Sequence, residues 1–133
     1  MSAVPSNLEI IRATYEGPSE QNGANLIAAL APDATWTEAA GFPYAGTYVG
    51  PEQIIAKVFR RLAQEWIDYR ANVQSYVVEG DQVVAFGEYS GTYKQTGRAM
   101  RAAFAHHYTL RDGKIKRMVQ YVDSFIVQQA LRP

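Results

Sequence analysis

Apolar residues recur at helical spacing near the start of the chain. Leu8, Ile11 and Tyr15 fall on one face of a possible helix. Just before them, Ser6 and Glu9 stand at the spacing of a capping box, which satisfies free backbone N–H groups at a helix start. The pattern predicts a first helix that begins after Ser6 and buries one face.

Two further helices are predicted in the first half of the chain. The second covers Asn22–Leu30, and the third begins at Pro51, where the first helical turn tolerates proline. The third helix carries an apolar face over four turns, formed by Ile54, Ile55, Val58, Phe59, Leu62 and Trp66. Between the two helices, the pattern predicts a short strand ending at Glu38 and a loop rich in Gly, Pro and Tyr from Gly41 to Gly50.

The second half of the chain is typical of a β-meander. Four strands are predicted, at Arg70–Glu79, Gln82–Tyr93, Arg98–Leu110 and Lys114–Val127. Asp112-Gly113 is a strong two-residue hairpin signal between the last two. Helices that are separate from an antiparallel sheet predict an α+β fold, in which the helices cover one sheet face.

Composition narrows the possible functions. The 133 residues suffice for a single domain, residues 1–133, with its own core, and the absence of cysteine excludes disulfides and thiolate metal sites. Thirteen basic residues balance thirteen acidic ones, which removes the electrostatic case for a nucleic-acid or membrane-surface partner. No apolar run reaches membrane-spanning length, and the first seven residues lack a basic n-region, so we expect a cytoplasmic protein without a signal peptide.

Glu38 is the first candidate for chemistry. From Ala34 to Gly46 it is the only ionisable residue apart from the phenol Tyr44. A carboxylate with few charged neighbours is partly desolvated, and desolvation raises its pKa towards the range of a useful base at neutral pH. The alternative is a carboxylate on the exposed side of a strand end, and the segment alone does not decide between the two.

The hairpin turn predicts a second group of candidates. A regular hairpin at Asp112-Gly113 pairs His106 with Val119 and Ala102 with Asp123. Alternation along the strands then places four side chains on one sheet face: Phe104, His106, Tyr121 and Asp123. In this register Asp123 lies about 13 Å along the strand from the partner of His106, so a bulge would be needed to bring the two together.

The two histidines are adjacent and therefore face opposite sides of their strand. His106 and His107 cannot share a metal ion, and no other ligand cluster is visible, so we expect no metal. His106 ends a nearly apolar stretch, which is compatible with a pocket hydrogen-bond donor. The alternative is a core histidine bonded to a backbone carbonyl.

Several segments resemble one known family. Pro32–Glu38 resembles the segment that carries the base in ketosteroid isomerases and related polyketide cyclases, and Pro43–Glu52 the loop and helix start that follow it. Leu110–Ile115 and Gln120–Asp123 resemble its final hairpin. The chain is similar throughout to the SnoaL-like, ketosteroid isomerase-related family of the NTF2-like superfamily. This resemblance implies a cone, in which a strongly curved antiparallel or mixed sheet wraps around three helices.

The resemblance also implies roles. Glu38 occupies the position of the base, His106 that of an acidic hydrogen-bond donor to an oxyanion, and Tyr15 that of a helix tyrosine sharing that oxyanion. Asp123 resembles the acidic residue that serves as base in the cyclase-like relatives. Two departures are clear, since glutamate stands where aspartate is usual and histidine where a neutral acid is usual. Alternatively, Tyr15 is a core aromatic, and Asp123 lies at the mouth of the cone, bonded to Arg101 or a tyrosine.

These features predict a small-molecule enzyme that needs no cofactor. It would move a proton next to a carbonyl and stabilise the enolate in an apolar pocket, acting on a small hydrophobic substrate. The alternatives are a non-catalytic binding module, epoxide hydrolysis or dehydration, because this superfamily hosts them all. The residues expected to line the pocket or its core walls are Trp36, Tyr44, Phe59, Leu62, Trp66, Tyr89, Phe104 and Tyr121. The fold resemblance further implies a homodimer through the outer sheet face.

Overall fold

The computed structural model describes residues 4–133. Five α-helical segments and one π-helical turn, Ile55–Phe59, accompany a six-stranded sheet. The helices are α1 (Asn7–Arg12), α2 (Ser19–Ala29), α3 (Pro51–Ile54), α4 (Arg60–Glu65) and α5 (Ser124–Leu131). The strands are β1 (Leu30–Glu38), β2 (Gly46–Val49), β3 (Trp66–Glu79), β4 (Gln82–Tyr93), β5 (Ala99–Arg111) and β6 (Lys114–Val122). They lie in the order β2-β1-β6-β5-β4-β3.

The α+β cone predicted from the sequence is confirmed. The helix start at Ser6 carries the expected capping box, because Ser6 accepts from the N–H of Glu9 while the Glu9 carboxylate accepts from the N–H of Ser6. β4 has the predicted bounds, and Asp112 and Gly113 both take the positive φ of a tight hairpin turn. The sheet is mixed, since β1 runs parallel to β6 while all other neighbours are antiparallel.

Four predicted boundaries are wrong. α2 begins at Ser19, three residues before the predicted start. The predicted loop from Gly41 to Gly50 contains β2, because Gly46–Val49 pair with the end of β1. Trp66 begins β3 and does not end the third helix. The last strand stops at Val122, where the Asp123 side chain accepts from the N–H of Ile126 and caps α5.

A bulge in β6 changes the predicted hairpin register. Leu110 pairs with Ile115 as expected, but Thr109 pairs with Arg117, so Lys116 is an extra residue without a partner. From there on His106 lies opposite Gln120 and not opposite Val119. Because side chains alternate with a period of two, this single insertion exchanges the faces of all later residues in β6.

Two bulges of β3 face glycines of β4. The register of β3 shifts between Ile67 and Arg70 and again between Val73 and Ser75, opposite Gly91 and Gly87. A Cβ atom on Gly87 would lie 2.2 Å from the carbonyl oxygen of Asn72. The missing side chain therefore allows β3 to approach β4 closely and bend, which makes one face of the sheet concave.

The helices cover this concave face, and the core lies between the two layers. One buried cluster joins Ile11 of α1 and Ile54 of α3 to Trp36, Tyr108 and Met118 of the sheet. A second cluster fills the other end of the cone around Trp66, Tyr89 and Phe104, closed by Val127 of α5. No helix within residues 4–133 has the length and apolar character needed to cross a membrane.

The close approach at Gly87 generates a stability prediction. Gly87→Ala should destabilise the fold by roughly 1–3 kcal/mol or more, because its Cβ would meet backbone that cannot move without straightening the bend. Gly23→Ala is the control: Gly23 lies in α2 with no atom within 4 Å of the new Cβ, so it should stabilise by about 0.5–1 kcal/mol. Urea unfolding of both variants checks the pair, and equal effects would contradict the role assigned to Gly87.

Candidate functional site

A cavity of about 550 Å³ lies between the concave sheet face and the helices. Its size is within the range of small-molecule sites. The sheet contributes Trp36, Glu38, Trp66, Tyr69, Tyr89, His106, Tyr108 and Gln120 to the wall. The helical layer and its turns contribute Tyr15, Leu26, Ile27, Ile55, Phe59 and Leu62. Two of these residues, Ile55 and Phe59, bound the π-helical turn, a feature frequent at functional sites.

Glu38 is the last residue of β1, and alternation along the strand turns it inward with Ala34 and Trp36. Only 5% of its surface is exposed, and no donor within residues 4–133 completes a hydrogen bond to its carboxyl group. Burial in these surroundings raises the pKa of Glu38 to about 8. The sequence expectation of a desolvated carboxyl group at this position therefore agrees with the geometry.

The indole N–H of Trp36 lies in the same part of the cavity. Its proximity to the Glu38 carboxyl partly opposes the rise in the Glu38 pKa. The N–H nevertheless completes no hydrogen bond, and within residues 4–133 it is the only fully buried side-chain polar atom without a partner. A buried donor that is left unpaired costs about 1–3 kcal/mol, so an acceptor atom of a bound ligand would stabilise this site.

His106 is held at both ring nitrogens. Its Nδ1 lies 2.5 Å from the hydroxyl of Tyr15, its Nε2 forms a short hydrogen bond with the hydroxyl of Tyr89, and the Phe104 ring stacks at a centroid distance of 4.2 Å. Burial lowers the pKa of His106 to about 3. The imidazole is therefore neutral at physiological pH and carries one N–H.

Gln120 anchors one end of this network. The backbone N–H of Ala39 donates to Gln120 Oε1 at 2.9 Å, so the amide nitrogen must face the other way. It donates to the Tyr89 hydroxyl at 2.8 Å. At the opposite end, the hydroxyl of Tyr15 forms a short hydrogen bond with that of Tyr108. A continuous chain thus runs from Gln120 through Tyr89, His106 and Tyr15 to Tyr108.

Counting protons shows that this chain has a donor to spare. The three phenols and the neutral imidazole supply four donor hydrogens, while the links Tyr89–His106, His106–Tyr15 and Tyr15–Tyr108 use three. Whichever tautomer His106 adopts, one phenol O–H is left over, and all three phenols line the cavity. The network can therefore donate a hydrogen bond to an oxygen atom of a ligand.

The phenols near Glu38 stay protonated. Burial raises the pKa values of Tyr69, Tyr89 and Tyr108, and the negative charge of Glu38 raises each of them further. An ionised Glu38 thus has three neutral phenols around it. Within residues 4–133, no basic side chain forms an ion pair with Glu38.

The structure places two predicted site residues outside the cavity. Because of the bulge at Lys116, Tyr121 turns to the outer sheet face, where 58% of its surface is exposed. Asp123 is exposed and caps α5, so the second carboxylate does not join His106. Arg101 pairs with Glu88 at 3.1 Å and not with Asp123.

The remaining predicted wall residues divide between cavity and core. Trp36, Phe59, Leu62, Trp66 and Tyr89 line the cavity. Tyr44 and Phe104 are buried behind it. The Tyr44 hydroxyl donates to Glu65 and accepts from the Trp66 indole, so its polar tip is satisfied within the core.

Sequence reasoning missed Tyr108 and Gln120, and it placed Tyr69 at the end of the third helix, as a possible rim residue, and not in a strand of the cavity wall. Tyr108 lies two positions after His106 and shares its face, a signal that strand alternation alone contained. Gln120 was hidden by the bulge, which no local pattern reveals. Tyr69 enters the site because the first bulge of β3 turns it inward beside Tyr89, at a ring-centroid distance of 5.3 Å.

The buried carboxyl group predicts an unusual dependence of stability on pH. Between the ordinary Glu pKa of 4.5 and about 8, folded Glu38 keeps a proton that the unfolded chain releases, so the free energy of unfolding falls as pH rises. The variant Glu38→Gln has no titrating group at this position and therefore lacks this pH-dependent contribution to the free energy of unfolding. Its stability relative to wild type should therefore rise between pH 5 and 8, by at most about 1.4 kcal/mol per pH unit, and then level off.

Urea unfolding at pH 5, 6, 7, 8 and 9 measures this difference. Working with the difference is necessary because His106 has the opposite effect: its lowered pKa costs stability as pH falls from 6.5 towards 3. Asp68→Asn, which removes an exposed carboxylate at the cavity rim, serves as the control for net charge. A constant difference between Glu38→Gln and wild type would contradict a desolvated Glu38.

Comparisons with known proteins agree with this architecture. An NTF2-like protein from Burkholderia thailandensis is 37% identical, with 98% of this chain and 100% of that chain covered and a TM-score of 0.92. The protein TerC, crystallised with polyporic acid, is 26% identical over 94% of this chain and 97% of its own, with a TM-score of 0.82.

A hypothetical protein from Catenulispora acidiphila with a ketosteroid isomerase-like fold, in complex with trimethylamine, is 22% identical and has a TM-score of 0.75, over 98% of this chain and 96% of its own. At that identity it shows the shared fold alone. No curated protein matches this sequence significantly. The model of the SnoaL-like domain matches residues 11–118, and the chain therefore belongs to the SnoaL-like family with the NTF2-like fold.

Proposed function

We propose that this protein is an enzyme that transfers a proton at a carbon atom next to a carbonyl or conjugated system. Glu38 is the base, and the phenol–imidazole network is the donor to the oxygen that becomes an enolate. The observation that carries the proposal is the coexistence, in one cavity, of an unpartnered buried carboxyl group and a spare phenol O–H.

The protonation states suit this chemistry. A base is most effective when its pKa lies near the working pH, and burial raises the pKa of Glu38 to about 8. The donors stay protonated, because burial raises the pKa of Tyr89 and of Tyr108. In a cavity that excludes water, a fixed phenol donor stabilises a developing oxyanion more strongly than it does in bulk solvent.

The charge in the cavity is conserved during this step. Before transfer the negative charge is on Glu38, and afterwards Glu38 is neutral while the substrate oxygen is negative. The carbon–hydrogen bond breaks and its proton goes to the carboxylate. Its electron pair forms the carbon–carbon double bond of the enolate, while the π electron pair of the carbonyl moves to the oxygen. Asp123 takes no part, because it lies outside the cavity.

The substrate is small and largely apolar, since most of the wall is aromatic or aliphatic. The relative TerC was crystallised with polyporic acid, a small organic molecule. This complex supports a small organic substrate for the present chain.

Hydrogen exchange at carbon tests the proposal without the natural substrate. Cyclic enones incubated in D₂O with the protein should lose their acidic C–H signals in proton NMR. Glu38→Gln should slow the exchange by roughly 10²–10⁴-fold, because the base is removed while the cavity shape is kept. Asp68→Asn at the rim is the matched carboxylate control and should exchange as wild type does. Equal rates for wild type and Glu38→Gln would exclude Glu38 as the base.

Binding of planar phenols of graded acidity tests the oxyanion donor separately. Affinity, followed by fluorescence, should increase with phenol acidity, because a phenolate imitates the enolate in charge and shape. The double variant Tyr89→Phe/Tyr108→Phe removes both phenols on which the spare O–H can lie while Tyr15 donates within the network, and it should flatten this dependence. Tyr121→Phe, which removes a hydroxyl on the outer face, should not. If all phenols bind equally, the cavity is a container for apolar molecules and the enzyme proposal fails.

We also propose that the chain forms a homodimer through the outer sheet face. Two cross-strand rows on that face are rich in apolar groups, Phe86–Ala105–Tyr121 and Val84–His107–Val119. Phe86 and Tyr121 are 40% and 58% exposed. Contiguous apolar groups on an open sheet face favour association with a second copy.

Light scattering during size-exclusion chromatography tests the dimer. Wild type should elute with the mass of two chains, and the double variant Phe86→Glu/Tyr121→Glu should elute as a monomer, because charges would be buried at the interface. Phe125→Glu, at an exposed apolar residue of α5, is the control and should stay dimeric. A monomeric wild type, or a dimeric double variant, would rule out this interface.

A further inference from the structure

Aromatic rings make up much of the cavity wall. Besides Tyr15 and His106, six aromatic residues line it: Trp36, Phe59, Trp66, Tyr69, Tyr89 and Tyr108. They come from four strands and the π-helical turn, so they surround the cavity on several sides. The face of an aromatic ring carries partial negative charge and attracts a cation placed above it.

The single buried charge of the cavity is also negative. Glu38 is the one buried acid among the described lining residues, and the buried His106 is neutral, because burial lowers its pKa to about 3. Asp68 and Arg70 are exposed at the rim, where they carry opposite charges and are screened by water. The interior therefore offers one carboxylate, several ring faces and no protein cation to neutralise them.

Arg61, the cation next to the Tyr44–Trp66 pair, is engaged with other groups. It stacks over the Tyr44 ring at 4.4 Å and pairs with Glu65. Buried carboxylates in proteins are usually paired with a cation or a metal ion. Glu38 has neither within residues 4–133.

We infer that the cavity is a binding site for a small organic cation, an alkylated ammonium group that sits among the ring faces and pairs with the Glu38 carboxylate. A quaternary or tertiary ammonium fits better than a primary one, because it is weakly hydrated and loses little on leaving water. The inference does not rest on the proposed proton transfer, since binding of an unreactive cation reports the charge of the cavity and not turnover.

Two further features of the wall predict which other group the ligand carries besides the ammonium. The unpartnered indole N–H of Trp36 and the spare phenol O–H both require an acceptor. A hydroxyl, ether or carbonyl oxygen near the ammonium group would satisfy one of them. The ligand class is therefore an alkylated ammonium compound that carries an oxygen acceptor.

Choline and 3,3-dimethylbutan-1-ol form a matched pair of probes. They have the same shape and the same hydroxyl group, but a carbon atom replaces the charged nitrogen in the second. At pH 9, isothermal titration calorimetry of the wild-type protein should show that choline binds at least about tenfold more tightly, because cation–ring and ion-pair contributions add. Equal affinities for the two probes would overturn the inference.

The pH dependence identifies Glu38 as the partner. The groups that face it are Tyr69 from β3, Tyr89 from β4, His106 and Tyr108 from β5, the amide of Gln120 from β6, and Tyr15 from the helical layer. Of these none titrates between pH 6 and 9, because burial keeps the phenols protonated and the imidazole neutral. Choline affinity should therefore fall by about tenfold per unit below pH 8, while that of the neutral probe stays constant.

A proton count supplies a readout that needs no variant. At pH 7, binding of choline should release close to one proton from Glu38, which calorimetry detects as a dependence of the apparent enthalpy on the buffer. Binding without proton release would overturn the pairing with Glu38.

Two variants locate the charge. Glu38→Gln should bind both probes with similar affinity, while Asp68→Asn at the rim should keep the preference for choline. If Asp68→Asn loses the preference and Glu38→Gln keeps it, the cation is held at the rim and the inference is wrong. Slow hydrogen exchange on enones together with tight choline binding would disprove the proton-transfer proposal alone.

Discussion

The bend of the sheet is the constraint on which the rest of this structure depends. β3 can curve only because two of its bulges lie against Gly87 and Gly91, where no side chain keeps the strands apart. The same bend makes one face concave. The helices pack on part of that face, where Ile11 and Ile54 meet Trp36 and Tyr108, and a hollow remains beside Tyr89 and His106.

Inside the hollow, the protein treats its buried polar groups in two ways. His106 has a partner at each nitrogen and a ring stacked on it, so its burial is fully compensated. Within residues 4–133, Glu38 has no cationic partner, and the N–H of the nearby Trp36 completes no hydrogen bond. Burying an uncompensated carboxyl group is unfavourable, and the rise of the Glu38 pKa is the form that this cost takes. A bound ligand can supply the charge partner and the hydrogen-bond acceptor that the fold does not provide.

A carboxyl group without a partner explains both functions proposed for this cavity. It can accept a proton, in which case the negative charge moves to a substrate oxygen and meets the spare phenol donor. It can also keep its charge and attract a cation that the aromatic walls favour. Proton transfer keeps one negative charge in the cavity, and binding of a cation neutralises it. In neither process does a second negative charge have to be buried among the aromatic walls. The backbone N–H of Ala39 contributes from a distance, because it orients Gln120 and so makes Tyr89 an acceptor at the start of the chain.

Local chemistry in the sequence determined much of this protein. Capping by Ser6, the Asp112-Gly113 turn and strand alternation are effects of neighbouring residues, so the helix start, the final hairpin turn and the opposite directions of His106 and His107 were predictable. The sequence left open whether Glu38 is buried or exposed. The extra residue Lys116 and the parallel pairing of β1 with β6 were not predictable, because both depend on contacts between strands that are distant along the chain. Tertiary structure therefore decided that Gln120 joins the site while Tyr121 and Asp123 leave it. A bulge moves every later side chain to the opposite face, and only the assembled sheet shows where the bulge lies.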